Sequence, residues 1–125
     1  MLTTPSIQLM LCPEPPFLAQ VRASILSNLD DEYFGVAELA GAVFLSRSQL
    51  FRKLRALSGR NPARYIHLVR IEQARALLAD TGLTVSEVAW RTGFSDPSYL
   101  RRVFLRETGE RLGAYRMRCR EGAAG

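Results

Sequence analysis

The sequence contains few of the residues on which small enzymes and disulfide-bonded domains depend. It has 2 cysteines and 1 histidine among 125 residues. Cys12 and Cys119 lie near opposite ends of the chain without partners at metal-ligand spacing, which excludes a disulfide framework and predicts two free thiols. His67 has neither a Cys/His cluster nor a glycine-rich phosphate loop near it. The sequence therefore predicts no catalytic centre, no cofactor and no metal site.

Long apolar runs are also missing. The longest are a few residues, and no basic stretch followed by an apolar core stands at the N-terminus, which excludes a membrane span and a classical signal peptide. With the two free thiols, these absences predict a cytoplasmic location and no membrane contact by this segment. At this length about two thirds of the unfolded surface can be buried, enough for one domain or two small subdomains.

Lysine is nearly absent, because Lys53 is the only lysine among 17 cations and the other sixteen are arginines. The charge is also segregated: residues 1–45 carry a net charge of −4, and residues 46–125 carry +9. Guanidinium groups bind phosphate and guanine through two parallel hydrogen bonds. The basic segment therefore favours a polyanionic partner, with a merely solvated basic surface as the alternative.

Four prolines among the first 16 residues predict a linker or arm over 1–16. Beyond it, apolar residues recur at spacings of three and four, the period of amphipathic helices, and no long segment has the strand period. Capping residues and glycines set the boundaries. We expect seven helices, over Phe17–Leu29, over Val36–Val43, from the Ser46 cap to Gly59, from Asn61 to Ala79, from the Thr84 cap to Gly93, from Ser95 or Asp96 to Gly109, and over Leu112–Arg118.

Large apolar residues at helical spacing are interpreted as core and not as a ligand pocket. In the third helix the inward stripe is expected to include Phe51 and Leu57 beside Leu50 and Leu54. The remaining expected core residues are Leu39, Val88, Trp90, Phe94, Leu100 and Phe104. Glu38 and Glu87, at matching places beside two short helices, are expected to have a structural role.

An internal repeat organises these helices. Val36, Glu38 and Ala40 recur 49 residues later, and Leu50, Arg52, Gly59 and Tyr65 recur 50 residues later. Each copy predicts a short helix, a turn of about four residues, a longer helix with exposed cations and a glycine stop, which is a helix-turn-helix unit. The predicted fold is all-α, with two helix-turn-helix subdomains (17–59 and 81–120), a long central helix (60–80) and a frayed tail (121–125).

Several runs carry a family resemblance. Val36-Ala-Glu-Leu-Ala, Ser46-Arg-Ser-Gln-Leu-Phe-Arg-Lys-Leu, Arg70-Ile-Glu-Gln-Ala-Arg-Ala-Leu-Leu and Gly93-Phe-Ser-Asp-Pro-Ser-Tyr-Leu together resemble the DNA-binding domain of AraC/XylS-type transcription regulators. The resemblance covers roughly Phe17 to Met117. It is strongest to the version found at the C-terminus of hybrid two-component sensor-regulators, which implies covalently linked receiver or sensor domains in a longer chain.

The resemblance implies sequence-specific binding of double-stranded DNA by two recognition helices in adjacent major-groove segments, for transcription regulation. Arg52 and Arg102 fall at equivalent positions where this family contacts DNA, and arginine is the commonest reader of guanine. Phosphate contacts suit Lys53 and Arg106, further along the helices. Base or phosphate contact, with plain solvation as the alternative, is expected for the residues that open the two helices: Arg47, Ser48, Gln49, Pro97, Ser98 and Arg101.

Two positions depart from the family pattern. Phe44 stands where the first turn often has glycine, so we expect that turn to be built differently. Leu112 and Gly113 stand where the second copy usually has a proline-started helix, so the last helix should be weaker than its counterpart. The alternative function is a helical protein-interaction module whose basic face binds an acidic protein, such as an RNA polymerase subunit, without reading DNA sequence.

Overall fold

The computed structural model describes residues 15–80 and 82–124; most of the arm, Cys12 and residues 81 and 125 lie outside it. The described residues form helices and no strand, which confirms the all-α prediction. None of the described helices has the length and apolarity to cross a bilayer. The helices are α1 (Pro16–Ser27), α2 (Val36–Ala42), α3 (Arg47–Ser58), α4 (Pro62–Ala79), α5 (Val85–Arg91), α6 (Pro97–Thr108) and α7 (Leu112–Ala124).

The helix boundaries follow the predicted caps. Each of four capping side chains accepts a hydrogen bond from the backbone N–H three residues later, which satisfies a donor that the helix itself leaves unpaired. Gly59 and Gly109 end α3 and α6 in the left-handed conformation, with φ of 77° and 76°. Of the two alternatives before α6, the cap is Asp96. The caps are Ser46, Asn61, Thr84 and Asp96.

Glu38 and Glu87 complete the starts of α2 and α5. The Oε1 atom of each accepts a backbone N–H at 2.9 Å, from Gly35 and Thr84 respectively. The bonds to Thr84 hold the pKa of the Glu87 carboxyl below its usual range. The predicted structural role of the two carboxylates is confirmed.

Two apolar cores share the long helix α4. Ile66 and Val69 pack in the first core with residues of α1 to α3, whereas Ile71, Ala74 and Leu78 pack in the second core with residues of α5 to α7. Helix α4 contacts each of the other six helices. Among the described helices, those of the first subdomain contact those of the second only through α4. The relative placement of the two subdomains therefore depends on α4 and on loop contacts around it.

Three apolar residues predicted to face inward are exposed instead. Trp90 is 67% exposed, Phe51 is 47% exposed and Leu57 is 42% exposed. In α3 only the stripe through Leu50 and Leu54 reaches the core. Helical period fixes which residues share a face, but it does not say how much of that face a neighbouring helix covers.

The first turn is built like the second, contrary to the expectation drawn from Phe44. Phe44 adopts the left-handed conformation with φ of 60°, and its counterpart Gly93 has φ of 80°. The turns close through equivalent 2.9 Å backbone bonds, from the N–H groups of Leu45 and Phe94 to carbonyls five residues earlier. The left-handed conformation costs a non-glycine residue about 1–2 kcal/mol. The 88% exposed side chain of Phe44 has room for it.

Helix α7 extends beyond the segment Leu112–Arg118 that the sequence indicated, and it ends at Ala124. Leu112 is buried in the second core, so an apolar contact holds the start of this helix, where the first copy has Pro62. Arg116 donates hydrogen bonds to the backbone carbonyls of Asp80 and Leu83, which ties α7 to the connection between α4 and α5. These contacts anchor the last helix.

Candidate nucleic-acid interface

The exposed face of α3 brings together all the residues predicted to act in the first unit. Arg52 lies at its centre, because it borders two adjacent shallow depressions in the surface. Arg47, Ser48 and Phe51 line one of them with Arg52. The other is lined by Leu45, Gln49, Arg52 and Lys53.

Two of these side chains already have partners within the protein. The Oε1 atom of Gln49 accepts the backbone N–H of Ser46 at 2.9 Å, which completes a capping box. The ammonium of Lys53 lies 4.4 Å from the ring centroid of Phe17 in α1, a cation–π contact. Arg47 and Arg52 make no ion pair within the described residues. The two arginines are therefore the better placed of this set to meet an external anion.

In the second unit the predicted residues open α6. Pro97 is its first residue and is half-buried, whereas Ser98, Arg101 and Arg102 are exposed. The guanidinium of Arg102 lies 5.4 Å from the ring centroid of Tyr99, three residues earlier. That contact restricts the rotamers of Arg102 and so reduces the entropy lost when its guanidinium binds a ligand.

Arg106 lies apart from the other predicted contact residues, at the contact between α6 and α4. Its Nε donates to Glu107 at 3.1 Å, and its Nη2 donates to Nδ1 of His67 at 3.0 Å. Glu107 also accepts a hydrogen bond from Arg64 of α4, and its side chain is only 4% exposed. Arg106 would have to leave these partners to bind a phosphate.

His67 links the long helix to the second recognition unit. Because arginine can only donate, Nδ1 of His67 accepts from Arg106, and the proton of the neutral ring lies on Nε2, 3.0 Å from the hydroxyl oxygen of Tyr99. The ring of Phe94 stacks on the histidine. Burial, followed by the nearby charge of Arg106, lowers the pKa of His67 from its ordinary value.

This arrangement predicts that stability falls in mild acid. Unfolded His67 takes up a proton as the pH drops through about 6.5, while the folded ring resists protonation, so the unfolded state binds more protons below that pH. The contribution of neutral His67 to the free energy of unfolding is therefore complete above about pH 6.5 and decreases below it. Between about pH 8 and about pH 5, the free energy of unfolding measured in urea should fall more for the wild type than for His67→Gln. Equal losses in the two proteins would contradict this account.

Arg70 was not recognised in the sequence as a functional candidate, and it is the most heavily bonded side chain described. It is 3% exposed and lies on the inner stripe of α4 with Ile66 and Ala74. Its two terminal nitrogens donate to four backbone carbonyls. They are those of Leu29 (2.7 Å), Thr92 (2.7 Å), Asp31 (3.0 Å) and Phe34 (3.2 Å). The sequence did hold a signal for this role. Arg70 is a cation that lies four residues from Ile66 and from Ala74, on the apolar stripe of α4.

Known sequences place the chain in a family. A family model described as a helix-turn-helix domain matches residues 39–118. The arabinose operon regulatory protein of Salmonella typhimurium is 33% identical over 108 residues, covering 84% of this chain and 38% of that protein. Histidine kinase P4 of Formosa agariphila is 28% identical over 94 residues, covering 75% of this chain and 7% of that protein. The chain thus spans much less than two thirds of these relatives.

Solved structures agree. The DNA-binding domain of the global transcriptional factor AdpA, solved in complex with a target DNA, matches with a TM-score of 0.74 and 38% identity, covering 83% of this chain and 93% of that one. The C-terminal domain of AraT, a response regulator from Geobacillus stearothermophilus, shares the fold with a TM-score of 0.74, covering 84% of this chain and 87% of that one at 23% identity. The resemblance found in the sequence is confirmed, and the chain belongs to the AraC-type family of helix-turn-helix domains.

Proposed function

We propose that this domain binds double-stranded DNA sequence-specifically, with α3 and α6 in adjacent major-groove segments, and thereby regulates transcription. The observation that carries the proposal is the repeated unit: each copy presents an exposed arginine-bearing helix, and the two copies are joined by the 18-residue helix α4. That helix is roughly 27 Å long at ~1.5 Å per residue. Successive major-groove segments on one face of DNA recur every ~34 Å.

Within each unit the arginines differ in their roles. Arg52 and Arg102 read guanine through two parallel hydrogen bonds, as their equivalent positions suggest. Arg47 and Arg101 lie beside them and contact base edges or phosphates, and Ser48 and Ser98 occupy the corresponding first turns. Lys53 and Arg106 bind phosphate after giving up their internal partners, whereas Gln49 and Pro97 mainly shape the helix starts. Because α4 is a continuous helix, the second contact requires the DNA to bend or one unit to disengage.

Phe51 adds an apolar reader to the first unit. Its ring is exposed between Ser48 and Arg52 on the proposed contact face, in the place that Arg101 occupies in the second copy. An apolar side chain in the major groove contacts the methyl group of thymine. The first DNA box should therefore have a thymine at the position that Phe51 contacts.

This role predicts a selective effect of Phe51→Ala. Replacing the contacted thymine by deoxyuridine removes one methyl group and should weaken wild-type binding by about 0.8 kcal/mol, roughly fourfold. Phe51→Ala should bind the two duplexes equally, because it has no ring to lose contact with. A fluorescence anisotropy titration of both proteins with both duplexes measures the coupling, and an undiminished methyl effect in Phe51→Ala would exclude this contact.

Selection of bound duplexes from a random DNA library tests the proposed function. A selected duplex with two short boxes about one helical turn apart, bound ~10³-fold or more tightly than a scrambled duplex, is the expected result. The comparison is repeated at two salt concentrations, because phosphate contacts alone give salt-sensitive binding to any sequence. Equal binding to every duplex would instead favour the protein-interaction module, in which the basic face meets an acidic partner.

The relatives are much longer than this chain, which suggests further domains that act with this one. This chain spans 38% of the arabinose regulator and 7% of the histidine kinase, so both relatives contain further sequence. We infer that a receiver or sensor domain supplies the signal to this DNA-binding domain and that the bound complex acts on RNA polymerase. Crosslinking on promoter DNA with and without polymerase tests the second step, and no crosslink to any polymerase subunit would contradict it.

A further inference from the structure

Arg70 occupies the boundary between the two apolar cores. Val69, its neighbour on one side, belongs to the first core, and Ile71, on the other side, belongs to the second. Its guanidinium extends away from α4 into both subdomains. It bonds the carbonyls of Leu29, Asp31 and Phe34 in the connection between α1 and α2, and that of Thr92 in the turn before α6. One side chain thus joins the two helix-turn-helix units directly.

The backbone of Gly93 also lies against the connection between α1 and α2, since a Cβ atom on it would be 2.4 Å from the carbonyl oxygen of Leu29. The described helices of the two subdomains contact one another only through α4. The ion pair of Arg64 with Glu107 and the hydrogen bond of His67 with Tyr99 fasten α6 to α4, but they do not reach the connection between α1 and α2. Among the described side chains, Arg70 is therefore the hydrogen-bonding link between that connection and the second turn.

The bonding pattern requires a guanidinium. Four carbonyl oxygens accept from its two terminal nitrogens, which only the planar, multiply donating head of arginine can supply. A lysine ammonium has three donors and no such plane, so at least one of the four carbonyls would lose its partner. Glycine at position 93 leaves room for this guanidinium, because a Cβ atom there would lie 1.3 Å from Nη1 of Arg70.

We propose that Arg70 is a positioning residue that sets the spacing between the two DNA boxes, by locking the first recognition unit to the second. This inference rests on the proposed function. A shift of one base pair moves a box by ~3.4 Å along the DNA and by about a tenth of a turn around it. A locked pair of units cannot follow that displacement, whereas units released from the Arg70 bonds can shift at the loop contacts around α4.

The test compares wild-type protein and Arg70→Lys on the selected duplex and on duplexes whose boxes are moved closer or apart by one base pair. We expect the wild type to lose affinity on the order of tenfold with either shift, and Arg70→Lys to lose less than about threefold. Both proteins should bind a duplex with one intact box equally. Arg75→Lys, on an exposed position of the same helix, is the matched control and should behave like the wild type.

The outcomes separate this inference from the proposed function. A wild type with no sequence preference would refute the proposed function itself. A wild type that prefers two boxes but tolerates the shift would overturn the role of Arg70 without any variant. An Arg70→Lys protein with the wild-type spacing penalty would also overturn it, and circular dichroism verifies that the variant is folded. Gly93→Ala, which displaces the guanidinium without changing Arg70, should relax the spacing in the same way.

Discussion

Gly93→Ala should destabilise the domain by about 4 kcal/mol, close to the effect of breaking a buried ion pair. The new Cβ atom would lie 1.3 Å from Nη1 of Arg70 and 2.4 Å from the carbonyl oxygen of Leu29. The guanidinium must therefore move, and its charge loses hydrogen bonds while it stays buried. The left-handed backbone adds a penalty of its own. Urea unfolding followed by circular dichroism measures the loss.

Gly109→Ala is the matched control for this substitution. Gly109 has φ of 76°, close to the 80° of Gly93, but no atom lies within 4 Å of the position its Cβ would take. The free energy of unfolding of Gly109→Ala should fall only by the cost of the left-handed backbone, about 1–2 kcal/mol. Equal losses in the two variants would show that the guanidinium of Arg70 moves freely, and the proposed lock between the two units would fail with it.

Arg52→Ala and Arg102→Ala should each weaken binding to the selected duplex by ~1–3 kcal/mol, roughly fivefold to 150-fold. Each substitution removes the two hydrogen bonds to one guanine, so each should also relax the choice of base at one position, in a different box. Competition titrations with duplexes changed at single base pairs measure both effects. Arg120→Ala, which removes the same charge from an exposed position on α7, should change affinity much less.

A second outcome for these arginines has a distinct signature. If Arg52 or Arg102 binds phosphate, its removal weakens binding to all duplexes by a similar factor and reduces the salt dependence by about one ion. Such a result would leave DNA binding intact but would contradict direct reading by that residue. The first box and the second box are tested separately, because the two variants act on different units.

Local rules identified most of the architecture from the sequence. The side chains of Ser46, Asn61 and Thr84 act at helix starts, and the glycines at 59 and 109 act at helix ends, through bonds within a few residues. Such short-range chemistry can be read without knowing the tertiary fold. The internal repeat then supplied the arrangement of the two units, since a helix-turn-helix unit has a narrow range of geometries.

The wrong expectations concerned long-range packing. Trp90 and Phe51 have the period of buried residues, but whether a neighbouring helix covers them depends on the whole fold. The turn at Phe44 departs from the expectation because its exposed ring meets no neighbour among the described residues, so only the local backbone cost of the left-handed conformation remains. Arg70 could have been noticed as a cation on an apolar stripe. Its four acceptors come from segments about 40 and 22 residues away in sequence, which no local pattern connects.

The most direct test of paired reading uses the selected duplex and two derivatives, each with one box scrambled. Either scramble should weaken binding by at least about tenfold, since each unit loses its base contacts in turn. Arg52→Ala should no longer respond to a base change at one position of one box but should still respond to changes in the other box. Unchanged affinity after one box is scrambled would contradict the account, because only one of the two units would then be reading DNA.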